Sequence, residues 1–590
     1  MRKLATGLVM VAATVAAAAC KDALSVTNPN NPNIAQVLAT GTDIEAVFAQ
    51  GYLQVGFTGS GIHTNNLAPQ LNAMSLENYG NVANFDMVYR AAIPRLFIDN
   101  SVNNTGDAVH YADFQNMQKL ARTISIAIAA LDKFTGSGKS LGSPSQDARA
   151  RAWGFFELGL SLGNTALVYD SASIVYPTTP TTGPPQPLSG YAAAMTAALG
   201  DLDSALTIAR SSAVTSNLAA FTSPWINGLN VDQPGFIAMV RSYQARFRAG
   251  VARTPAERAA VNWDQVIADA TNGITADIVV KLSIQAGWQQ REVTNAYRYQ
   301  GWGDASMMYL GMADTSGAYD AWLATSMVNR QSFLIRSGDN RWPFGEDRTS
   351  QTTLSGGSNG VPGTTGLYFR NRPPGEDPPG DPWGTSFYDH FRFRYLTVNN
   401  SDNAGPWIEM SQSEMNLLAA EGYIRKGNFA AAAPLIDASR TKHNLPPLTG
   451  NVADGTSPVP GATYTAVLDT VIVNDTVPGK KDTIITINHY NMTAVVPGKQ
   501  NCVPRVPAGP SGPTACGNMM EALKYEYRLE TYFTGYGQWF QAERGWGDLV
   551  EGTPLQFPVP YEEMQVRLES FYNLGGVGNS SAAAKGTYGF

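Results

Sequence analysis

Apolar residues recur every three or four positions in several long segments, which is the spacing of one face of an α-helix. The clearest segment spans 111–134, where one stripe contains Phe114, Met117, Leu120, Ile124, Ile128, Leu131 and Phe134. The same spacing recurs at 144–160, 191–210, 234–250, 263–270 and 414–439. The pattern therefore predicts a mainly α fold.

Polar residues that cap helices stand where several of these segments begin. Ser143 precedes Pro144, and Asn262, Ser413 and Asn428 each stand just before an apolar run. Side-chain oxygens at such positions accept bonds from the first free amides of a helix. Two short helices joined by Gly427 and Asn428 predict an antiparallel pair of the tetratricopeptide type. We expect such pairs over about 111–275 and 411–443.

Two regions lack helical spacing. Residues from about 276 to 410 are rich in Gly, Asn, Pro and aromatic residues, and predict a long loop-rich insertion. Within 449–517, apolar and polar residues alternate on both sides of Pro478 and Gly479, which predicts a β-hairpin insertion.

The N-terminus has the pattern of a secretory signal. Arg2 and Lys3 precede an uncharged run that ends in three alanines before Cys20. The run from Leu4 to Ala19 is shorter than the roughly 20 residues that cross a bilayer. The junction resembles the lipobox of bacterial lipoproteins, so we expect a signal peptide at 1–19, lipidation of Cys20 and a tether over 20–40. An ordinary signal peptide with an incidental cysteine is the alternative.

Two further cysteines remain once Cys20 is assigned to a lipid. An oxidising compartment permits Cys502 and Cys516 to pair, and we expect a disulfide that closes a short loop.

Charge and motif content exclude several function classes. The formal charge of −7 and the absence of a basic stripe argue against nucleic acid. The five histidines form no zinc motif, no nucleophile elbow is present, and the Asp99–Asp107 stretch misplaces glycine for a calcium loop. We expect no enzyme activity, no metal and no cofactor.

Aromatic residues interleaved with amide and charged residues stand out in the loop-rich region. Such mixtures suit sugars, whose C–H faces stack on rings while their hydroxyls need polar partners. The alternative is that these rings pack the loops onto the helices. The candidates for ligand binding are Trp288, Tyr299, Trp302, Trp322 and Trp342.

Four motifs in order resemble the SusD/RagB family of nutrient-uptake lipoproteins. They are Cys20 followed by LSVTNPNNPN, the 148–156 stretch ARARAWGFF, the 414–422 stretch EMNLLAAEG with Asn428 and Arg440, and a C-terminal motif at 521–560 that ends in Pro558-Val559-Pro560. Departures occur: Thr534 stands where the family has glutamate, and Gln541 where it has aspartate.

The resemblance implies a single SusD-like domain over 41–590. It also implies a surface-exposed outer-membrane lipoprotein that binds a nutrient without turnover and delivers it to a TonB-dependent transporter of the SusC type. The Lys21-Asp22 start is similar to the signals of surface-exposed lipoproteins. Polar–aromatic loops near residue 79 occur early in family members, which adds Tyr79 and Asn81 to the ligand-binding candidates.

Three alternatives remain open from the sequence. The ligand can be a peptide instead of an oligosaccharide. A periplasmic tetratricopeptide scaffold would need an apolar groove but no sugar-stacking rings. A lipoprotein glycosidase would need an acid pair, and no pair of carboxylates stands out as one.

Overall fold

The computed structural model describes most of the chain. The described residues are 38–56, 67–83, 86–104, 108–211, 221–288, 302–354, 366–378, 380, 383–394, 396, 404–473 and 483–590. Cys20, Tyr299 and the expected turn at Pro478 and Gly479 lie outside them.

Helices dominate the described chain and carry most of the core. They are α1 Gly41–Gly56, α2 Ala68–Met74, α3 Met87–Ala91, α4 Ala108–Gly136, α5 Pro144–Val168, α6 Tyr191–Ala209, α7 Gln233–Gly250, α8 Pro255–Ala259, α9 Trp263–Thr271, α10 Met307–Leu310, α11 Ala318–Ala324, α12 Arg348–Leu354, α13 Gln412–Arg425, α14 Phe429–Arg440, α15 Met519–Glu530, α16 Gln538–Trp546 and α17 Tyr561–Val566.

The strands form small two-stranded antiparallel sheets. The pairs are β1 Tyr79–Gly80 with β6 Gly303–Asp304, β2 Phe97–Ile98 with β14 Leu574–Gly575, β3 Ser171–Ser173 with β4 Leu188–Gly190, β5 Ile278–Leu282 with β9 Gly405–Met410, β7 Phe369–Asn371 with β8 Tyr388–His390, β10 Gly461–Val473 with β11 Thr483–Val496, and β12 Arg505–Pro507 with β13 Thr514–Cys516.

The long helices pack as consecutive neighbours, as helix pairs do. Helix α4 packs on α5, α5 on α6, and α13 on α14, while α9 connects α7 to α13. Small residues bring the helices close: a Cβ at Gly159 would lie 2.9 Å from the carbonyl oxygen of Ala198 in α6. The mainly α fold with tetratricopeptide-like pairs is confirmed.

Side-chain caps begin the helices largely where the sequence predicts. Gln146 donates to Ser143 Oγ at 3.2 Å and Gln265 to Asn262 Oδ1 at 3.1 Å, each through its backbone amide. Ser413 is different, because α13 begins two residues earlier and Ser411 Oγ accepts from Glu414 N at 3.1 Å. The prediction of Ser413 as the cap was wrong: this serine lies inside the first turn.

The insertion at 449–517 contains the predicted hairpin. Strands β10 and β11 pair from Gly461 with Val496 to Val473 with Thr483, with one irregularity at Thr463/Tyr464. Cys502 and Cys516 form a disulfide beside the short pair β12–β13.

A buried ionic cluster joins the loop-rich region to the C-terminal motif. Arg341 contacts Asp339 at 2.7 Å, and it contacts Glu526 and Glu530 of α15 at 2.9 and 3.2 Å. All four side chains are at most 2% exposed. Removing one partner of such a cluster leaves a buried charge uncompensated, at a cost of about 3–5 kcal/mol.

The C-terminal motif packs as its sequence suggests. Leu529, Phe533, Trp539 and Phe540 are buried, and Arg528 pairs with Glu543 at 2.8 Å. No helix in the described part of the chain combines the length and apolarity needed to cross a bilayer.

Candidate functional site

The exposure of the tryptophans separates packing rings from a candidate ligand platform. The chain has eleven tryptophans, and all eleven lie among the described residues. Ten of them are at most 9% exposed. Trp302 is the one tryptophan that is only half-buried.

Trp288 and Trp322 are packed within the fold. Trp288 lies beside Tyr52, with ring centroids 6.5 Å apart. Trp322 stacks on Tyr319 at 5.9 Å, and the Arg330 guanidinium lies 4.1 Å from its ring. Neither ring presents a free face on which a sugar could stack.

Trp342 also packs within the fold. Its ring stacks on Phe369 at 4.0 Å and meets Tyr388 edge-on at 5.3 Å. Of the tryptophans that the sequence nominates for ligand binding, Trp302 is thus the most exposed. The physical reason is that long loops also need apolar anchors, and composition does not tell an anchor from a platform.

Strands β1 and β6 bring three of the predicted residues together across more than 200 positions of sequence. Tyr79 pairs with Asp304, Gly80 pairs with Gly303, and the Asn81 amide donates to the Trp302 carbonyl at 2.9 Å. Asn81 and Trp302 are therefore neighbours at the open end of this ladder, and both are half-buried.

Gly80 and Gly303, which pair with each other, make the close approach of β1 and β6 possible. A Cβ at Gly80 would lie 2.6 Å from Met87 Cβ, and one at Gly303 would collide with the amide of Asn78. Larger residues at either position would push the strands away from the layer beneath them. The glycine pair therefore sets the place of Asn81 and Trp302.

Tyr79 supports the pair from below. Its side chain is 1% exposed, and its ring meets Trp383 edge-on at 4.9 Å. Tyr79 therefore packs beneath the β1–β6 pair and does not present a surface to a ligand.

Where the structure describes the chain, the side-chain amide of Asn81 is held by a hydrogen bond from its nitrogen but not through its oxygen. Its Nδ2 donates to Asp304 Oδ2 at 3.0 Å, whereas its Oδ1 accepts no hydrogen bond within the described residues. Gly380 lies over this oxygen, since a Cβ there would be 2.8 Å away. Among the described residues this oxygen is therefore buried without a partner, at a cost of about 1–3 kcal/mol, and the ligand-facing group of the amide is Nδ2.

A buried ionic network holds Asp304 in place. Arg372 contacts both Asp304 and Asp389, the latter at 2.7 Å, and Arg370 contacts the second oxygen of Asp389 at 2.7 Å. The network ties β6 to strands β7 and β8, and the Ala305 amide adds a bond to the Tyr388 carbonyl at 3.2 Å.

The pKa values of the two carboxyls in this network are shifted in opposite directions. Burial raises the pKa of Asp304 to about 7, although Arg372 and the Asn81 amide oppose that shift. Burial also acts on Asp389, but Arg372 and Arg370 outweigh it and hold the pKa of Asp389 below its ordinary value. Asp389 is therefore the firmly charged anchor of the network.

Sequence reasoning missed Asp304, Arg372 and Asp389. A signal was present, because Asp304 follows Trp302 by two residues, and Arg372, just after strand β7, follows Arg370 of that strand by two residues. Alternating charged residues in a strand predict one charged face, but the partners lie too far apart in sequence to be assigned from it. Among the described residues, no group of three or more His, Cys, Asp or Glu side chains is arranged to hold a metal ion.

Comparison with known proteins gives matches in structure and none in sequence. No protein-family model matches the chain, and no curated protein matches it. A SusD superfamily protein from Bacteroides vulgatus superposes with a TM-score of 0.51 at 12% identity, over 90% of this chain and 97% of that chain.

Two further solved structures have lower TM-scores. A SusD superfamily protein from Parabacteroides distasonis has a TM-score of 0.49 at 12% identity, over 89% of this chain and 97% of its own. A laminarin-binding SusD-like protein has a TM-score of 0.42 at 12% identity, over 91% and 98% of the two chains. The superposition on the Bacteroides vulgatus protein shows that this chain has the fold of the SusD superfamily, which confirms the fold that its sequence motifs imply.

Proposed function

We propose that the protein is a surface-exposed outer-membrane lipoprotein that binds an oligosaccharide at the β1–β6 edge, without turnover, and delivers it to a TonB-dependent transporter of the SusC type. The observation that carries the binding step is Trp302, the one tryptophan that is only half-buried, held beside the half-buried amide of Asn81. Anchoring through Cys20 and the transporter partner rest on the sequence motifs.

The chemistry of this edge fits a sugar. A partly exposed ring gives apolar stacking without requiring a charge on the ligand. The second hydrogen of Asn81 Nδ2 can be donated to a sugar hydroxyl, and the carboxyl of Asp304 holds that amide in one orientation. A site fixed by strands and buried ion pairs is formed before the ligand arrives, which lowers the entropy lost on binding.

The other nominated residues have unequal roles in this proposal. Tyr79 supports the β1–β6 pair, and Trp288, Trp322 and Trp342 are buried packing residues. Tyr299, three residues before Trp302 in the sequence, stays a predicted ligand contact.

The test uses the soluble chain from residue 21 onwards. A glycan array identifies the oligosaccharides that it binds, and calorimetry then compares wild type with Trp302→Ala. We expect the variant to weaken binding more than about tenfold, since truncating a stacked anchor costs about 2 kcal/mol or more. Tyr176→Ala, which removes a ring that is 48% exposed in the loop between α5 and α6, is the control and should bind as wild type.

Two outcomes would change the proposal. Unaltered affinity in a folded Trp302→Ala variant would place the site elsewhere. An empty glycan array, together with binding to a random oligopeptide library that Trp302→Ala weakens, would make the ligand a peptide.

A further inference from the structure

Two segments of the chain carry most of its exposed large apolar side chains. Eleven such side chains occur among the described residues, and eight of them belong to residues 89–102 or 566–577. These eight, which range from 49% to 94% exposed, are Tyr89, Leu96, Phe97, Val102, Val566, Leu568, Phe571 and Val577. We call this region the apolar surface.

Backbone pairing and one asparagine hold the two segments together. Strand β2 pairs with β14, so that Phe97 faces Gly575 and Ile98 faces Leu574. The buried Asn100 donates from Nδ2 to the Tyr572 carbonyl at 3.2 Å, and its backbone amide donates to Asn573 Oδ1 at 2.9 Å.

The centre of the apolar surface is concave. Leu96, Phe97 and Val577 line a cavity of about 420 Å³ together with Asn573 and Asn579. This concavity is formed by paired backbone, so it is a fixed shape that can receive a side chain from a partner. Exposed apolar side chains that share a cavity, as Leu96, Phe97 and Val577 do, mark an interaction site.

The exposed charges of the apolar surface are mainly acidic. Glu569 is exposed, and Asp99 and Glu562 are half-buried, whereas Arg567 is neutralised by Glu563 at 2.7 Å. The two remaining arginines of these segments are at most 4% exposed, although Arg95 also lines the cavity. Arg90 pairs with Asp86, and Arg95 donates to the Met74 carbonyl at 2.9 Å.

From this pattern we infer that the apolar surface docks a second protein whose contact face is apolar and edged by Lys or Arg. Electrostatic complementarity of this type selects partners and speeds their encounter. A bilayer is disfavoured as the occupant because anionic headgroups repel acidic side chains. A second copy of the chain is disfavoured because a two-fold contact would bring the same acidic residues together. The inference rests on the surface alone and is independent of the ligand site.

Site-specific photo-cross-linking in the native cells tests the inference. The cross-linking amino acid benzoylphenylalanine replaces Leu568, which is 94% exposed, and in a separate variant Phe97. The control position is Val328, which is 76% exposed but belongs to neither segment. We expect positions 568 and 97 to give one adduct with the same second protein and position 328 to give none.

A charge-reversal variant and mass spectrometry of the adduct complete the test. Glu569→Lys in the position-97 variant should lower the adduct yield at least fivefold, and mass spectrometry should place the cross-link on an apolar face edged by basic residues. Four results would each overturn the inference. They are equal adducts from position 328, an unchanged yield with Glu569→Lys, a self-adduct of the purified protein, and cross-linking to vesicles of phosphatidylglycerol and phosphatidylethanolamine. A partner that is not a transporter would refute the delivery step proposed above and leave the docking inference standing.

Discussion

Single buried residues in this protein differ in how their charge is compensated. Arg341 and Asp389 have partners of opposite charge at hydrogen-bonding distance, and these partners outweigh the desolvation of their charged forms. Asp201, in helix α6, is 5% exposed, and its Oδ2 accepts no hydrogen bond within the described residues. An isolated carboxylate in such a place is unfavourable, so the residue holds its proton.

Asp201 gives the protein a specific dependence of stability on pH. Burial raises the pKa of Asp201 from 3.8 to about 8 in the folded chain. Below pH 3.8 both states are protonated. Between pH 3.8 and about 8 the unfolded chain loses the proton first, so this group lowers the free energy of unfolding as pH rises, and the loss levels off above the folded pKa.

We therefore predict that the Asp201→Asn variant gains stability relative to wild type as pH rises. From pH 5 to pH 8.5, its free energy of unfolding relative to wild type should increase by about 1 kcal/mol or more, as measured by urea denaturation. Asp203→Asn, at an exposed position of the same helix, is the control and should show no such increase. Equal behaviour of the two variants would show that Asp201 is charged in the folded protein.

At the scale of elements, the helices could be predicted from sequence and the site could not. The apolar stripe at 111–134 lies within α4, Ala108–Gly136, because 3.6-residue spacing over many turns is a strong local signal. Strands β1 and β6 have two residues each and pair across the chain, so no periodic pattern marks either of them. The Asn81–Trp302 pair was thus beyond local reasoning, although both residues were nominated from their chemistry.

Helix α13 shows the limit of cap prediction from sequence. Ser411 and Ser413 both stand shortly before Met415, the first apolar residue of α13. The choice between them depends on strand β9, which ends at Met410 and places Ser411 at the helix start. Ser411 Oγ also donates to the Glu530 carbonyl at 3.3 Å, a contact that only the fold reveals.

We predict that Ser411→Ala lowers the free energy of unfolding by about 1 kcal/mol, because α13 loses its side-chain cap. Ser413→Ala should leave stability within about 0.5 kcal/mol of wild type, since alanine is favourable inside a helix. Chemical denaturation of both variants at one pH measures the difference. A larger loss in Ser413→Ala than in Ser411→Ala would restore Ser413 as the cap.

The whole molecule combines a helical scaffold with two surfaces of different chemistry. The β1–β6 edge presents a ring and an amide, which suit a small polar ligand. The apolar surface at 89–102 and 566–577 presents aliphatic and aromatic side chains with acidic neighbours, which suit a protein. Both depend on contacts between residues far apart in sequence, so neither surface exists in the unfolded chain. Under the proposed function, the protein holds a ligand on one surface and a partner on the other, and an N-terminal tether would keep it near that partner.

We predict that Cys20→Ala releases the protein from membranes. Each acyl methylene buried in lipid contributes about 0.8 kcal/mol, and the variant has no thiol at which chains can be attached. Detergent phase separation and cell fractionation measure the change: wild type should enter the membrane fraction, and the variant should be soluble. Because a docked partner could retain the variant, Cys20→Ala is also combined with Leu568→Glu, which places a charge on the apolar surface. If the double variant still sediments with membranes as wild type does, neither the lipid nor the apolar surface is what holds the protein there.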